Sequence, residues 1–286
     1  MVDKVRKVEP TTAGGLKAMG FTQAATEVKS KRVIASVAAI EKEGKTHFSL
    51  TGPEPIIYFD IDAGAEGVIE AHSAAGKEIL VYRLRVVHEE SQALWEKQWE
   101  DLKDKLVAAW GMSRGTVIID TFSEVYELVR LVKFGKLSQV SSYSYDKTNK
   151  EIRELIRMAY ESSMNTIFVH KMRPVYINDK RTADYEPKGW GDMPYNMQAN
   201  LFPFSIMEDD GKLLFKVRVK DCRLNAKMKG KIIDCGKAGD PPGNTLEKMI
   251  ETMHKPLKKL ELDEGEKPKN KDKKKLEKLS LDDDED

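Results

Sequence analysis

Cysteine and histidine are scarce in this sequence, which excludes several classes of protein. Its 286 residues include two cysteines, Cys222 and Cys235, and five scattered histidines. Two cysteines cannot form a disulfide framework, and together with these histidines they show no spacing typical of a metal site. We therefore expect reduced, structural cysteines.

An excess of charge of one sign is also lacking, and so are long apolar runs. The chain has 48 basic and 47 acidic side chains and a formal net charge of +1. No overall field attracts it to nucleic acid or to a membrane, so any anion site must be local. No apolar run approaches the ~18 residues of a membrane span, and the N-terminus lacks the apolar segment of a signal peptide. We expect a cytoplasmic protein, of a cell or of an infected host, with no membrane partner.

What the sequence does contain is a series of short apolar runs that alternate with amphipathic stretches. This pattern is typical of βαβ units and predicts an α/β fold with a mostly parallel central sheet flanked by helices. The predicted strands are 33–37, 56–60, 79–82, 116–120 and 166–170. Between the third and fourth strands, aromatic and aliphatic side chains recur at helical spacing: Trp95, Trp99, Leu102, Leu106 and Trp110. This spacing favours a stripe that faces the core over a platform for stacking bases.

The remaining segments suggest how the chain is organised. We predict an N-terminal arm at 1–30, a core at 31–236, a C-terminal helix within 237–261 and a disordered, charged tail at 262–286. Residues 177–198 show no periodicity and predict a long functional loop. The alternating runs that follow it predict antiparallel strands that extend the sheet on its C-terminal side.

The most specific pattern lies in "VIASVAAIEKEGKTHFSL", residues 33–50. A phosphate-binding loop follows a strand and has the form G-x-x-x-x-G-K-[ST], because its backbone N–H groups and its lysine surround the phosphates. Gly44, Lys45 and Thr46 stand at the required offsets, but Ala39 replaces the first glycine.

Polar residues follow the other predicted strands. Asp60, Asp62 and Asp120 stand at strand ends, and His170 with Lys171 ends a fourth run. Parallel strands present their carboxyl ends at one edge of a sheet, so these side chains should converge with Lys45. Asp120 is the acid expected to hold a metal ion.

Taken in order, "GKT", "YFDID", "TVIIDTFSEVYEL", "FVHKMRP" and "FKVRVKDCRLNAKMKGKII" resemble a known family. Residues 31–235 look like the RecA-like core of phage-encoded P-loop ATP-binding proteins of the AAA/RecA type, which are linked to single-strand annealing and recombination. The resemblance implies ATP and Mg²⁺ as cofactors, single-stranded DNA as a partner and assembly into a homo-oligomer. The implied ATP-binding residues are Gly44, Lys45, Thr46 and His47; the implied metal ligands are Thr46 and Asp120; and the implied catalytic residues are Asp62, which activates water, Asp120, and His170, which senses the γ-phosphate.

Two segments combine basic and aromatic residues in the way that single-strand binders do. Residues 177–198 contribute Lys180, Arg181, Lys188 and Trp190, although acidic residues balance their charge. Residues 133–150 contribute Lys136 and Lys147. The acidic end of the chain, "DDDED", is typical of a solvated tail; the alternative is that it docks a replication or recombination partner.

Two functions stay open on these grounds. One is an ATP-binding protein that hydrolyses ATP and acts on single-stranded DNA in recombination, annealing or replication. The other is a non-hydrolysing DNA-binding or scaffold protein with a degenerate pocket. The second interpretation assumes that the Cβ of Ala39 opposes a positive φ. It also assumes that Glu41 and Glu43 each repel phosphate, by about 3 kcal/mol at ~5 Å and an effective dielectric near 20.

Overall fold

A computed structural model of the chain describes residues 31–87, 91–137, 141–178, 180–209 and 211–255. The predicted arm at 1–30 and the predicted tail at 262–286 lie outside the described residues. Within the described part, no helix is long and apolar enough to cross a membrane.

Parallel strands build the centre of the sheet. They are β1 (Ile34–Ala39), β2 (Ile56–Asp60), β3 (Ile79–Arg83), β4 (Thr116–Asp120) and the first half of β5 (Asn165–Ile177). The strand order β3-β2-β4-β5-β1 places β4 and β1 on either side of β5. β1, β4 and the start of β5 are buried on both faces, and strands in that position have continuous apolar sequences.

The sheet continues beyond β1 with strands from the C-terminal part of the core. β7 (Ala199–Met207) pairs in parallel with β1, and β8 (Leu213–Cys222) and β9 (Ile232–Lys237) follow in antiparallel order. The predicted fold class is thereby confirmed: an α/β fold whose sheet is mostly parallel, with antiparallel strands on the C-terminal side.

Residues 177–198 are not the irregular loop that the sequence predicts. β5 extends to Ile177, and β6 (Lys180–Pro187) pairs back against it, so that Met172 lies opposite Pro187. A short 3-10 helix at Met193–Asn196 follows. The prediction is wrong because nearly every side chain of β6 is exposed. A strand that is solvated on both faces has no hydrophobic alternation from which it could be recognised.

Six helices within the described residues cover the two faces of the sheet. They are α1 (Lys45–Ser49), α2 (Val68–Ala74), α3 (Gln92–Trp110), α4 (Phe122–Phe134), α5 (Asp146–Glu161) and α6 (Thr245–Met253). Side chains of α3, α4 and α5 pack in one apolar cluster, and those of α1, α2 and α6 pack in another. The sheet is therefore the middle of three layers, and the loops at its carboxyl edge are free to form a site.

The apolar stripe of α3 is buried in the first of these clusters. Trp95 and Trp99 are each 2% exposed, and Trp110 is 5% exposed. The prediction of a core-facing stripe is confirmed, and these tryptophans are not available for stacking bases. Truncating a buried tryptophan to alanine costs about 3–5 kcal/mol.

Candidate nucleotide-binding site

The chain passes from β1 into α1 through residues 40–44, and this turn requires glycine at its end. Gly44 has φ 77° and ψ 19°, in the left-handed region. A Cβ on Gly44 would lie 3.0 Å from ring atom Cδ1 of Phe215 in β8. Both the backbone conformation and the available space therefore explain glycine at position 44.

Ala39 occupies the place of the first glycine without distorting the loop. It is the last residue of β1 and pairs with Lys171 of β5. The positive φ of the turn falls instead on Lys42, at 62°, and on Gly44. The expectation that a Cβ at position 39 opposes a positive φ is therefore wrong, because Ala39 has the ordinary backbone of a strand.

Lys45 folds back over the loop. Its Nζ donates hydrogen bonds to the carbonyl oxygen of Ala39 at 3.1 Å and to that of Ile40 at 2.8 Å. Burial lowers the pKa of Lys45, and the charge of Asp120 opposes this effect. A phosphate in the loop would offer this ammonium a charged acceptor, and charge-assisted hydrogen bonds are about twice as strong as neutral ones.

Asp120 accepts hydrogen bonds from two hydroxyl groups. The Oγ1 of Thr46 donates to its Oδ2 at 2.6 Å, and the hydroxyl of Tyr58 donates to the same oxygen at 2.7 Å. Asp120 is 5% exposed. Burial raises the pKa of Asp120, and the hydrogen bonds from Thr46 and Tyr58 oppose that rise. Both bonds engage Oδ2, which leaves Oδ1 for another partner.

The Thr46 hydroxyl and the Asp120 carboxylate fit a magnesium ion. Both supply the hard oxygen donors that Mg²⁺ prefers. No group of three or more His, Cys, Asp and Glu side chains could hold a metal within the described residues. Mg²⁺ at nucleotide sites needs no such group, because it binds through one or two carboxylates together with phosphate oxygens and water.

Asp60 lies beside Asp120 at the carboxyl edge of the sheet, since the two residues are paired in the β2–β4 register. Burial raises the pKa of Asp60, and the charge of Asp120 raises it further. Its nearest cation is Arg83, whose Nε lies 3.7 Å from Oδ2. The convergence of strand-end acids on one edge is therefore present in the structure.

A lysine bridges two further carboxylates at this edge. The Nζ of Lys171 lies 2.9 Å from Oδ1 of Asp62 and 2.8 Å from Oε1 of Glu124, in the first turn of α4. Burial lowers the pKa of Lys171, but hydrogen bonds to Glu124 and Asp62 outweigh this effect and raise it overall. Asp62 is thus held in a fixed position by a residue that also reaches α4.

His170 lies inside the protein rather than on the surface of the site. It is 2% exposed, and its ring meets that of Phe122 edge to face with centroids 5.6 Å apart. Neither ring nitrogen forms a hydrogen bond of ordinary geometry among the described residues, although the backbone of Lys188 lies near enough to oppose part of the fall in the pKa of His170. Burial lowers the pKa of His170 to about 4. The neighbouring Lys171, not His170, contacts the carboxylates of the site.

His47 follows Thr46 in α1 and contacts a second histidine. Its Nδ1 lies 3.1 Å from Nε2 of His72 in α2. Burial lowers the pKa of His47, and burial lowers that of His72 to about 4. Both rings are therefore neutral at physiological pH, and His72 fixes the orientation of the His47 ring.

Glu43 joins the phosphate-binding loop to the neighbouring strand. Its carboxylate accepts a hydrogen bond from the backbone N–H of Ser205 in β7. The charge that was expected to repel phosphate is therefore partly satisfied by a backbone donor.

The residues predicted to bind nucleic acid are distributed over several elements. Lys180 and Arg181 are exposed on β6, and the Arg181 guanidinium donates to the Tyr185 hydroxyl at 2.8 Å. Trp190 is half-buried, with Arg153 of α5 5.6 Å from its ring centroid. The remaining predicted residues are exposed: Lys188 after β6, Lys136 after α4 and Lys147 in α5.

Sequence reasoning missed several residues of the site. Tyr58 had a usable signal, because a tyrosine in an apolar strand needs a partner for its hydroxyl. Glu124 had a weaker one, four residues after Asp120. The contacts of His72 and Ser205 join elements that are distant in sequence, so no local pattern indicates them.

A family model and a solved structure are similar to this chain. A family model described as an AAA domain matches residues 31–198. The chain is also similar to a solved structure of an ATPase domain, with 13% identity and a TM-score of 0.39, over 72% of this chain and 80% of that chain. No curated protein matches. The family match spans the segment from β1 to the residue before β7, which includes Lys45, Thr46, Asp120 and Lys171.

Proposed function

Because the chain belongs to the AAA domain family, we propose that it binds ATP with Mg²⁺ at Gly44, Lys45 and Thr46 and hydrolyses it. One observation carries the proposal: Thr46 and Asp120, 74 residues apart in sequence, are hydrogen bonded at 2.6 Å. The contact unites the phosphate-binding loop with the metal-holding acid expected at the end of β4.

The residues of the site have distinct parts in this reaction. Phosphoryl transfer depends on positioning and on neutralising charge rather than on covalent chemistry. Lys45 would exchange its carbonyl partners for phosphate oxygens. Thr46 and Asp120 would hold Mg²⁺, which when bound neutralises charge on the β- and γ-phosphates. Asp62 would accept a proton from the attacking water, and Lys171 would position it.

Two observations favour an active pocket over a degenerate one. Ala39 stays in the conformation of a strand, so it imposes no strain on the loop. Glu43 is engaged by Ser205. The strain expected at Ala39 is therefore absent, and the ground that concerns Glu43 is weakened, whereas Glu41 keeps an exposed carboxylate near Lys45.

Calorimetric titration with a non-hydrolysable ATP analogue and Mg²⁺ tests the proposal. Micromolar binding by the wild type that is lost in Lys45→Ala is the expected result. Lys42→Ala is the matched control, since it removes an exposed lysine of the same loop and should preserve binding. Absence of binding by the folded wild type would overturn the proposal.

We further propose that turnover serves an action on single-stranded DNA, in recombination, annealing or replication. The family resemblance and the exposed basic residues of the β5–β6 hairpin support this proposal. ATP hydrolysis measured with and without an oligonucleotide tests it, and stimulation by the oligonucleotide is expected. An unchanged rate, together with no binding of the oligonucleotide, would contradict it. Self-assembly and docking through the acidic tail stay predictions.

A further inference from the structure

One face of β7 and β8 carries alternating aromatic and basic side chains. Strand residues two apart share a face, and Leu201, Val217 and Val219 pack into the apolar cluster on the opposite side. The side chains on the other face are Phe202 and Phe204 of β7 and Lys216, Arg218 and Lys220 of β8, which we call the β7–β8 platform. Phe202 lies opposite Arg218, and Phe204 lies opposite Lys216.

Two cations of this platform lie over its aromatic rings. The Cζ of Arg218 lies 5.6 Å from the ring centroid of Phe204, and the Nζ of Lys220 lies 5.3 Å from that of Phe202. Both cations are exposed, and neither forms an ion pair with a carboxylate of the described residues. Lys216 differs, because Asp234 lies 3.3 Å from it.

The platform leads into a cavity of about 580 Å³ that Lys220 also lines. The β7–β8 register shifts between Asn200 and Leu201, so Lys220 is the extra residue of a bulge. Bulges commonly redirect a side chain at a functional site. Four basic residues line the cavity, Arg173, Lys220, Arg223 and Lys229, against two carboxylates, Glu186 and Asp221; Trp190 and Tyr195 add aromatic surface.

A buried polar atom in this cavity lacks a partner. Asn200 is 5% exposed, and its Nδ2 donates to the carbonyl of Pro194 at 3.1 Å. Its Oδ1 has no hydrogen-bond partner among the described residues. A buried acceptor without a donor is unfavourable, and a ligand with an amino group would satisfy it.

We propose that the β7–β8 platform and this cavity bind single-stranded nucleic acid. Bases stack on Phe202 and Phe204, Arg218 and Lys220 move from the rings to phosphates, and Asn200 accepts a hydrogen bond from a base. The inference rests on the proposal that nucleic acid is the partner, and it names the surface that binds it. The platform itself belongs to strands other than the β5–β6 hairpin that the sequence suggests, whereas the cavity beside it is also lined by Arg173 and Glu186 of that hairpin and by Trp190.

The chemistry of the platform matches a single strand in three ways. Every base has a π-face, so stacking on phenylalanine does not depend on sequence. Phe202 and Phe204 are separated by about 6.7 Å along the strand, which leaves each ring accessible to a separate base. A duplex would keep its bases stacked within the helix and could not use these rings.

The platform is also connected to the phosphate-binding loop. Ser205, whose N–H binds Glu43, directly follows Phe204. A change in the loop on nucleotide binding would therefore reach the strand that carries both rings.

Fluorescence anisotropy with labelled oligothymidylate and oligouridylate of about 20 nucleotides tests the inference over a series of salt concentrations. Phe202→Leu/Phe204→Leu keeps apolar volume and removes the π-faces. Arg218→Ala/Lys220→Ala removes the cations. Lys105→Ala/Arg157→Ala is the control, because it removes two exposed cations from α3 and α5. Lys180→Ala/Arg181→Ala tests the hairpin, and thermal unfolding monitors the fold of each variant.

We expect the ring variant to bind at least fivefold more weakly than wild type, since stacking commonly contributes between about 5-fold and 150-fold per base. The cation variant should also lose affinity, and its salt slope should fall by about 1.4, at roughly 0.7 per phosphate contact. The control should bind as wild type does. The oligomer that binds more tightly identifies DNA or RNA as the strand.

Two other results would overturn the inference, and they are distinguishable. If the wild type binds, and folded ring and cation variants bind equally well, the surface is wrong while the proposed partner stands. If the wild type binds neither oligomer, nucleic acid is not the partner, and this inference falls with that part of the proposed function. The calorimetric test of ATP binding is independent of both results.

Discussion

Glu43 in the phosphate-binding loop is hydrogen bonded to the backbone N–H of Ser205 in β7. A hydrogen bond to a charged group contributes about 1.5–3 kcal/mol. The bond fixes the loop against a strand that is adjacent to β1 in the sheet. The loop is therefore restrained at Glu43 by this bond. It is also restrained at Ala39 and Ile40, whose carbonyl oxygens accept hydrogen bonds from Lys45.

Glu43→Gln removes a negative charge near the phosphates and keeps an oxygen that can accept from Ser205. We expect this variant to bind the ATP analogue at least about fivefold more tightly, because the repulsion that is removed is about 1 kcal/mol for two charges ~4 Å apart in bulk water and larger at a lower effective dielectric. Glu43→Ala lacks the acceptor as well and should bind more weakly than Glu43→Gln. Calorimetry at two salt concentrations measures both, and the gain should shrink at higher salt. Equal weakening by both substitutions would contradict the argument.

Tyr58→Phe removes one of the two hydroxyl groups that bind Oδ2 of Asp120. We expect the free energy of unfolding to fall by about 1–3 kcal/mol, since Asp120 is a buried carboxylate. Loss of the bond also raises the pKa of Asp120 further, so binding of Mg²⁺ with the ATP analogue should weaken at lower pH. Denaturant unfolding and calorimetry at two pH values measure these effects.

Tyr82→Phe is the matched control for Tyr58→Phe. The Tyr82 hydroxyl also donates to an aspartate, Asp101, but that bond lies at the protein surface. Its loss should lower the free energy of unfolding by about 1 kcal/mol or less and should leave Mg²⁺ binding unchanged. If the two variants were equally destabilised, the burial of Asp120 would not be the reason for the loss of stability in Tyr58→Phe.

Asp62 and Glu124 compete as the base that activates water, because Lys171 contacts both. If Asp62 is the base, Asp62→Asn should lower kcat by about 10²-fold or more and leave the affinity for the ATP analogue within a few fold. Glu124→Gln should have a much smaller effect on kcat. Steady-state ATP hydrolysis with calorimetry on both variants decides, and a larger loss in Glu124→Gln would move the role to Glu124.

Much of the fold could be predicted, because its information is local. β1, β2 and β4 are short apolar runs bounded by polar residues, and the stripe of α3 repeats at helical spacing. These patterns arise because burial in or against the sheet requires apolar residues at regular positions in the sequence. β6 shows no recognisable sequence pattern, because nearly all of its side chains face solvent.

The site could be predicted only in part, for a related reason. The residues of the loop and the acids at strand ends lie in recognisable motifs, so Lys45, Thr46, Asp62 and Asp120 could be named. Their partners lie in elements that are brought together by the register of the sheet. Ala39 is the clearest example. The motif requires glycine at this position, but in the structure Ala39 is the last residue of β1 and is paired as a strand residue.

His170, which the resemblance implies as the sensor of the γ-phosphate, has its ring in the interior beside Phe122. Its pKa is about 4, below the ordinary value of 6.5. The folded state therefore favours the neutral ring, and this stability is present above pH ~6.5 and is lost as the pH falls towards 4. Below both pKa values, the free energy of unfolding is lower by about 3 kcal/mol than it is above pH ~6.5.

His170→Leu should remove this pH dependence. At pH 7 we expect the stability of the variant to be within about 1 kcal/mol of that of the wild type, because neither ring nitrogen forms a hydrogen bond of ordinary geometry in the described structure. Between pH 7 and pH 5 the wild type should lose about 2 kcal/mol more than the variant. Denaturant unfolding at both pH values measures the difference, in which the contributions of Asp60 and Asp120 cancel. Parallel pH profiles would show that His170 is not held neutral by burial. ATP turnover gives a second readout, because a group that contacts the reacting phosphate would lose about 10²-fold or more on substitution, whereas a buried structural ring would not.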